Sequence, residues 1–229
     1  MTFKKNKFEE GFSLVELSIA LVVIGLIIGG VLKGRDLIDN ARLKASMSQV
    51  AEIKLALASF TDRFEALPGD FKDAQQALGN TLLNGNGNHI IEGAGLDANS
   101  EARQFWAHLA EAGFLPDPGK APATGSVTFG KGAPSAKIGG GFTVEHNPQG
   151  TDLKGHWLLL GGENGSHGNG PLLTPLQAMA IDKKMDDGQP ISGRIQAREG
   201  AGIPSGRCVS NGVYNASVKE PVCVVYFEL

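Results

Sequence analysis

Few residues in this chain have both the type and the spacing that chemistry needs. Glu16 is the first. It is the only charged side chain in an apolar run over residues 12–32. A carboxylate near the centre of a bilayer costs on the order of 3 kcal/mol, so it either meets a partner or snorkels to the interface. Cys208 and Cys223, the two cysteines, are the second. In an oxidising compartment they read as a disulfide closing a loop of about 15 residues; otherwise they are two free thiols. Asn84, Asn86 and Asn88 are the third. They alternate as the early oxygen ligands of a calcium loop do, and Glu92 is placed to add a carboxylate. Yet His89 stands where an EF-hand has its glycine, and Gly95 where it has a bidentate glutamate. The same stretch, rich in Asn and Gly, equally reads as a turn-rich loop without metal.

No catalytic constellation emerges. A GxSxG nucleophile elbow and a phosphate-binding glycine loop are both missing from the sequence. His89, His108, His146, His156 and His167 are scattered, with neither HExxH nor HxxxH spacing, and read as surface or structural histidines. Trp106 and Trp157 read as core aromatics. Net charge is −3, and no block of like charge suggests a nucleic-acid surface. The chain is expected not to be an enzyme.

The elements that carry these residues follow from periodicity. Residues 12–32 are about as long as the roughly 20 residues that span a bilayer. An ordinary secretory signal has a shorter apolar region. Lys4, Lys5 and Lys7 favour a cytoplasmic N-terminus. Beyond Leu32 the helix turns amphipathic. Leu43, Met47, Val50, Ile53, Leu57, Phe60 and Phe64 step by four and three along one face, with Lys44, Glu52, Lys54 and Asp62 opposite. Leu67-Pro68-Gly69 ends it. Gly25, Gly29, Gly30 and Gly34 weaken this stem by roughly 1 kcal/mol each relative to alanine.

Three short helices are expected in the rest. One lies in residues 70–78, with Phe71, Ala74 and Leu78 inward. One runs over residues 100–112, capped by Ser100 and ended by Gly113, with Ala102, Phe105, Trp106 and Leu109 on one face. One starts at Thr174-Pro175-Leu176-Gln177, a capping box with proline at the first turn, and runs to about Met185. Its packed side is expected to hold Leu176, Met179, Ala180 and the stem of Lys183. Asp182, Asp186 and Asp187 crowd its end against the helix dipole, so that end needs another stabiliser. Strands are expected at residues 126–129, 142–145, 156–160, 193–197 and 222–227. Gly139-Gly140-Gly141 turns between the first two. Residues 161–170 read as a flexible loop.

Gly11-Phe12-Ser13-Leu14-Val15-Glu16, with its apolar continuation, resembles the processing site of type IV prepilins and type II secretion pseudopilins. The resemblance implies a leader over residues 1–11, cut after Gly11 by a prepilin peptidase, and N-methylation of Phe12. It implies that Glu16 pairs with the N-terminal amine of a neighbouring subunit during assembly. It also implies an inner-membrane assembly machinery, a homopolymer or related pilin subunits as partners, and a C-terminal disulfide in keeping with Cys208 and Cys223. Some pilins melt the stem around a proline, which this stem lacks. The expected fold is α+β and pilin-like: a helical stem over residues 12–66, membrane-spanning over 12–32, and an antiparallel-sheet head over 67–229. The chain is expected in the inner membrane before assembly and in the periplasm or a surface filament afterwards. No cofactor is expected, calcium at the Asn84 loop excepted. The alternative to a pilus subunit is a pseudopilin, or a membrane-tethered module that does not polymerise.

Overall fold

The computed structural model describes residues 11, 13–79, 81–119 and 127–229. Residues 1–10 of the expected leader, Phe12 and the start of the strand expected at residue 126 lie outside them. Helix α1 runs over Leu14–Phe64. It starts after Ser13 and stops two residues before the expected boundary, where Glu65 takes a left-handed φ of 50°. The chain forms two compact units, Met1–Ala41 and Arg42–Leu229.

In the first unit α1 has a mean hydropathy of 2.6 over its best window, with none of that window buried. Leu21, Leu26 and Ile27 are among its exposed apolar side chains. Among the described residues this is the one helix long and apolar enough to cross a membrane. Gly25, Gly29, Gly30 and Gly34 lie inside it without breaking it.

The second unit is a head built around its own share of α1. Four antiparallel strands order as β3 (Gly141–His146), β4 (His156–Asn164), β9 (Cys223–Glu228) and β6 (Ile195–Glu199). Alternation decides their two faces. Phe142, Val144, Leu158, Leu160, Val225, Phe227, Ile195 and Ala197 share one core with Leu43, Met47, Val50, Ile53 and Phe60 of α1. Leu57 and Phe64 pack at its margin, so the apolar stripe falls where its spacing puts it. Trp157, Leu159, Val224 and Tyr226 form a smaller cluster with Leu153 on the opposite face. The long helix and antiparallel head make this an α+β, pilin-like architecture.

Three helices complete the head: α2 (Ala74–Ala77), α3 (Glu101–Glu111) and α4 (Pro175–Met185). Ser100 caps α3 by accepting the Arg103 amide. Thr174 and Gln177 form the expected capping box on α4. The buried side of α4 differs from expectation. It carries Pro175, Ala178, Ile181 and Asp182, while Leu176, Ala180 and Lys183 are exposed. A buried acid sets this rotation. Asp182 accepts the Tyr214 hydroxyl at 2.7 Å and the Gly188 amide at 3.0 Å. Lys54 also leaves the polar face expected of it. It is half-buried and donates to the Glu228 carbonyl at 2.6 Å.

Residues 161–170 are not a flexible loop. Strand β4 continues to Asn164 and turns back through Gly165 into β5 (His167–Gly170). A side chain at Gly161 would collide with the Gly168 carbonyl, so glycine is what lets the hairpin close. Thr128–Phe129 (β1) does not pair with β3 across the triple glycine. It pairs with β2 (Gly132–Ala133), and the Phe129 ring sits over Gly141 where any side chain would clash. The short strands β7 (Val209–Ser210) and β8 (Val213–Tyr214) form a hairpin inside the cysteine loop.

Candidate functional site

Glu16 sits at the third position of α1 and belongs to a capping box. Its Oε2 accepts the Ser13 amide at 2.8 Å, and Ser13 Oγ accepts the Glu16 amide at 3.2 Å. Two of the four orphan amides at the helix start are thereby satisfied. The Ser-x-x-Glu spacing is a legible signal that the reading of Glu16 as a lone membrane acid passed over. The cleavage bond between Gly11 and Phe12 and the methylated amine at Phe12 lie outside the described residues. An apolar surface then runs exposed from Leu14 through Leu32. Water does not tolerate so long an apolar stripe, so lipid or other apolar helices must cover it.

Cys208 and Cys223 form a disulfide with a Cα–Cα distance of 5.2 Å, and both are fully buried. The bridge fastens the β7–β8 hairpin to the first residue of β9. Cys223 is held on its other side by Leu173, which accepts its amide at 2.9 Å and donates to its carbonyl at 3.0 Å.

The Asn84 loop is organised by a residue that the sequence did not single out. Asp70 is 2% exposed. Its Oδ1 accepts the amides of Gly87 and Asn88, at 2.6 and 3.2 Å, and its Oδ2 accepts that of His89 at 2.7 Å. The side-chain oxygens of Asn84, Asn86 and Asn88 accept the amides of Gln75, Asn88 and Ile90. The amide groups of Asn86 and Asn88 donate to the two carboxylate oxygens of Glu92. Glu101 accepts the amides of Asn86 and Glu92, and burial pushes its carboxyl above the usual range. The four candidate ligands are thus gathered in one loop and bonded to protein groups. Calcium would need Glu92 turned from those amide donors and the asparagine oxygens shared with their backbone bonds.

The acids that end α4 have partners of the same kind. Asp186 accepts the amides of Arg194 and Ile195, and Asp187 accepts the Gln189 amide and the Ser192 hydroxyl. Asp182, Asp186 and Asp187 bring their oxygens close together and are the one such acidic group among the described residues. The turn after the helix consumes them, which answers the dipole problem. His167 meets the buried Glu145 at 3.0 Å. Trp106 and Trp157 are core aromatics, 1% and 4% exposed.

Residues 6–32 match the family model described as the prokaryotic N-terminal methylation motif. This is the signature of type IV prepilins and pseudopilins, and it spans the Ser13–Glu16 box and the apolar start of α1. It supports a type IV pilin-like or pseudopilin-like protein. No curated protein and no solved structure matches the chain.

Proposed function

We propose that the chain is a structural subunit of a type IV pilus or pilus-like filament. A prepilin peptidase removes residues 1–11 after Gly11, and Phe12 becomes the methylated N-terminus. The chain waits in the inner membrane with its N-terminus in the cytoplasm, as Lys4, Lys5 and Lys7 favour. Residues 12–66 serve as stem and 67–229 as head. Assembly transfers the exposed apolar start of α1 from lipid to the stems of neighbouring subunits. Both surroundings are apolar, so the cost concentrates on Glu16, the one charge in the run. Pairing with the Phe12 amine of a neighbour neutralises it in a medium where an unpaired charge is expensive.

The observation that carries this reading is the methylation motif running directly into a helix whose apolar face is bare in the monomer. A pseudopilin of a type II secretion system uses the same stem chemistry. The C-terminal disulfide favours the pilin side of that choice. Gly11→Ala tests the reading. The variant should keep its leader and be absent from the sheared filament fraction. Normal processing and assembly of this variant would refute it.

A further inference from the structure

Two histidines far apart in sequence each accept a backbone amide beside or within the surface loop 83–91, Gly69 for His108 and Ile91 for His156, through a lone pair that a proton would remove. His108 is fully buried on α3. Its Nδ1 accepts the Gly69 amide at 2.9 Å, and its Nε2 lies 3.0 Å from the Leu83 carbonyl. An amide fixed as donor on one side and a carbonyl fixed as acceptor on the other leave only one neutral tautomer, with the proton on Nε2. Gly69 directly precedes Asp70, the carboxylate that grips residues 87–89. At the other end of the loop, Nε2 of His156 on β4 accepts the Ile91 amide at 3.0 Å.

We propose that His108 and His156 form an acid-released latch: both must be neutral for residues 83–91 to stay docked, and acid frees this loop while the sheet stays folded. Protonated imidazole has no acceptor to offer. Protonation at His108 sets Gly69 loose beneath Asp70, and protonation at His156 sets Ile91 loose.

The surroundings oppose both protons. Around His108, α3 contributes the Arg103 guanidinium and α1 the stacked Phe60 ring at 6.3 Å, while the Leu83 carbonyl, which Nε2–H still reaches after protonation, partly favours the proton. Burial, the largest cause, holds the imidazole down to about 4. Around His156, β3 contributes the His146 ring at 4.7 Å. Burial first and His146 second hold His156 below its ordinary value, and Asp70 partly opposes them. Each folded value is depressed, so the docked state gains fully above the unfolded value and loses that gain as pH falls toward the folded one. Glu101, the carboxyl that grips Asn86 and Glu92, is raised by burial and acts with the opposite sign.

With His108 at about 4 when docked and 6.5 as the limit for a fully freed ring, loop opening should rise by up to roughly 75-fold between pH 8 and pH 4.5. Hydrogen exchange of the full chain in detergent, corrected for intrinsic rates, reads this by mass spectrometry. Peptides covering 83–91 should lose at least tenfold more protection than those of β4 and β9, and His156→Gln should blunt the change. Equal loss in loop and sheet would overturn the latch, and so would an unaltered response in His156→Gln. Exchange of the imidazole C–H gives the wild-type titrations without any variant. Depressed midpoints at His108 and His156 are expected, and ordinary midpoints would overturn the proposal.

Discussion

Removing the Asp70 carboxylate should unfasten the head more than its single position suggests. Three backbone amides converge on it, two of them at 2.6 and 2.7 Å. A hydrogen bond to a charged group contributes about 1.5–3 kcal/mol, and a buried amide left without an acceptor costs a similar amount. Counting only the two short bonds, Asp70→Ala should lose about 3–5 kcal/mol. Asp70→Asn keeps one oxygen but turns an amide donor toward one set of backbone donors. It should lose about 1.5–3 kcal/mol. Urea unfolding of the compact unit Arg42–Leu229, followed by circular dichroism at pH 7.5, measures both. With a slope of about 2 kcal/mol per molar urea, the Ala midpoint should fall by about 2 M. The same titration in calcium and in chelator separates the two readings of the Asn84 loop. If Asp70 and Glu92 hold the loop through amides, the wild-type midpoint is the same in both. A loss below 1 kcal/mol in Asp70→Ala would refute the reasoning, and a wild-type midpoint that rises with calcium would show that a cation shares the work.

Replacing Cys208 and Cys223 together with serine opens the loop that the disulfide closes. The head should lose about 3 kcal/mol in the chain-entropy account, seen as a lower melting midpoint in the oxidised sample alone. Tyr214→Phe removes one of the two partners of the buried Asp182 carboxylate. It should cost about 1.5–3 kcal/mol, whereas an unchanged unfolding midpoint would mean that water replaces the hydroxyl. Glu16→Gln should still be cleaved, since the cleavage bond precedes α1, but should not enter filaments. Ordinary incorporation in a shear-fraction blot would assign the carboxylate to capping its own helix and nothing more.

What was legible in the sequence obeyed local rules. Thr174, Pro175 and Gln177 mark their helix within four residues. The step from Leu43 to Phe64 marks its buried face by period alone, and the cysteine pair needs only compartment and spacing. What was not legible depends on partners distant in the chain. Asp182 turns inward because Tyr214 lies 32 residues away in sequence, and Lys54 is drawn down by a carbonyl 174 residues away. The hairpin through Gly165 looked like a loop because its glycines mimic flexibility, although each close backbone approach requires one. Asp70 was hidden in a proline-glycine turn, where an acid reads as solvent-exposed. The Asn84 loop was legible as a cluster of oxygens. The amides those oxygens accept could be seen only in the fold.

The central claim is that the chain is processed after Gly11 and built into a filament through its stem. Intact mass together with N-terminal sequencing of the protein from its native membrane or sheared surface fraction tests it most directly. The account predicts a chain that begins at N-methyl-Phe12, lighter than its reduced form by the hydrogens lost to the disulfide. A chain that keeps Met1 to Gly11, or one cut after Gly30, would contradict it.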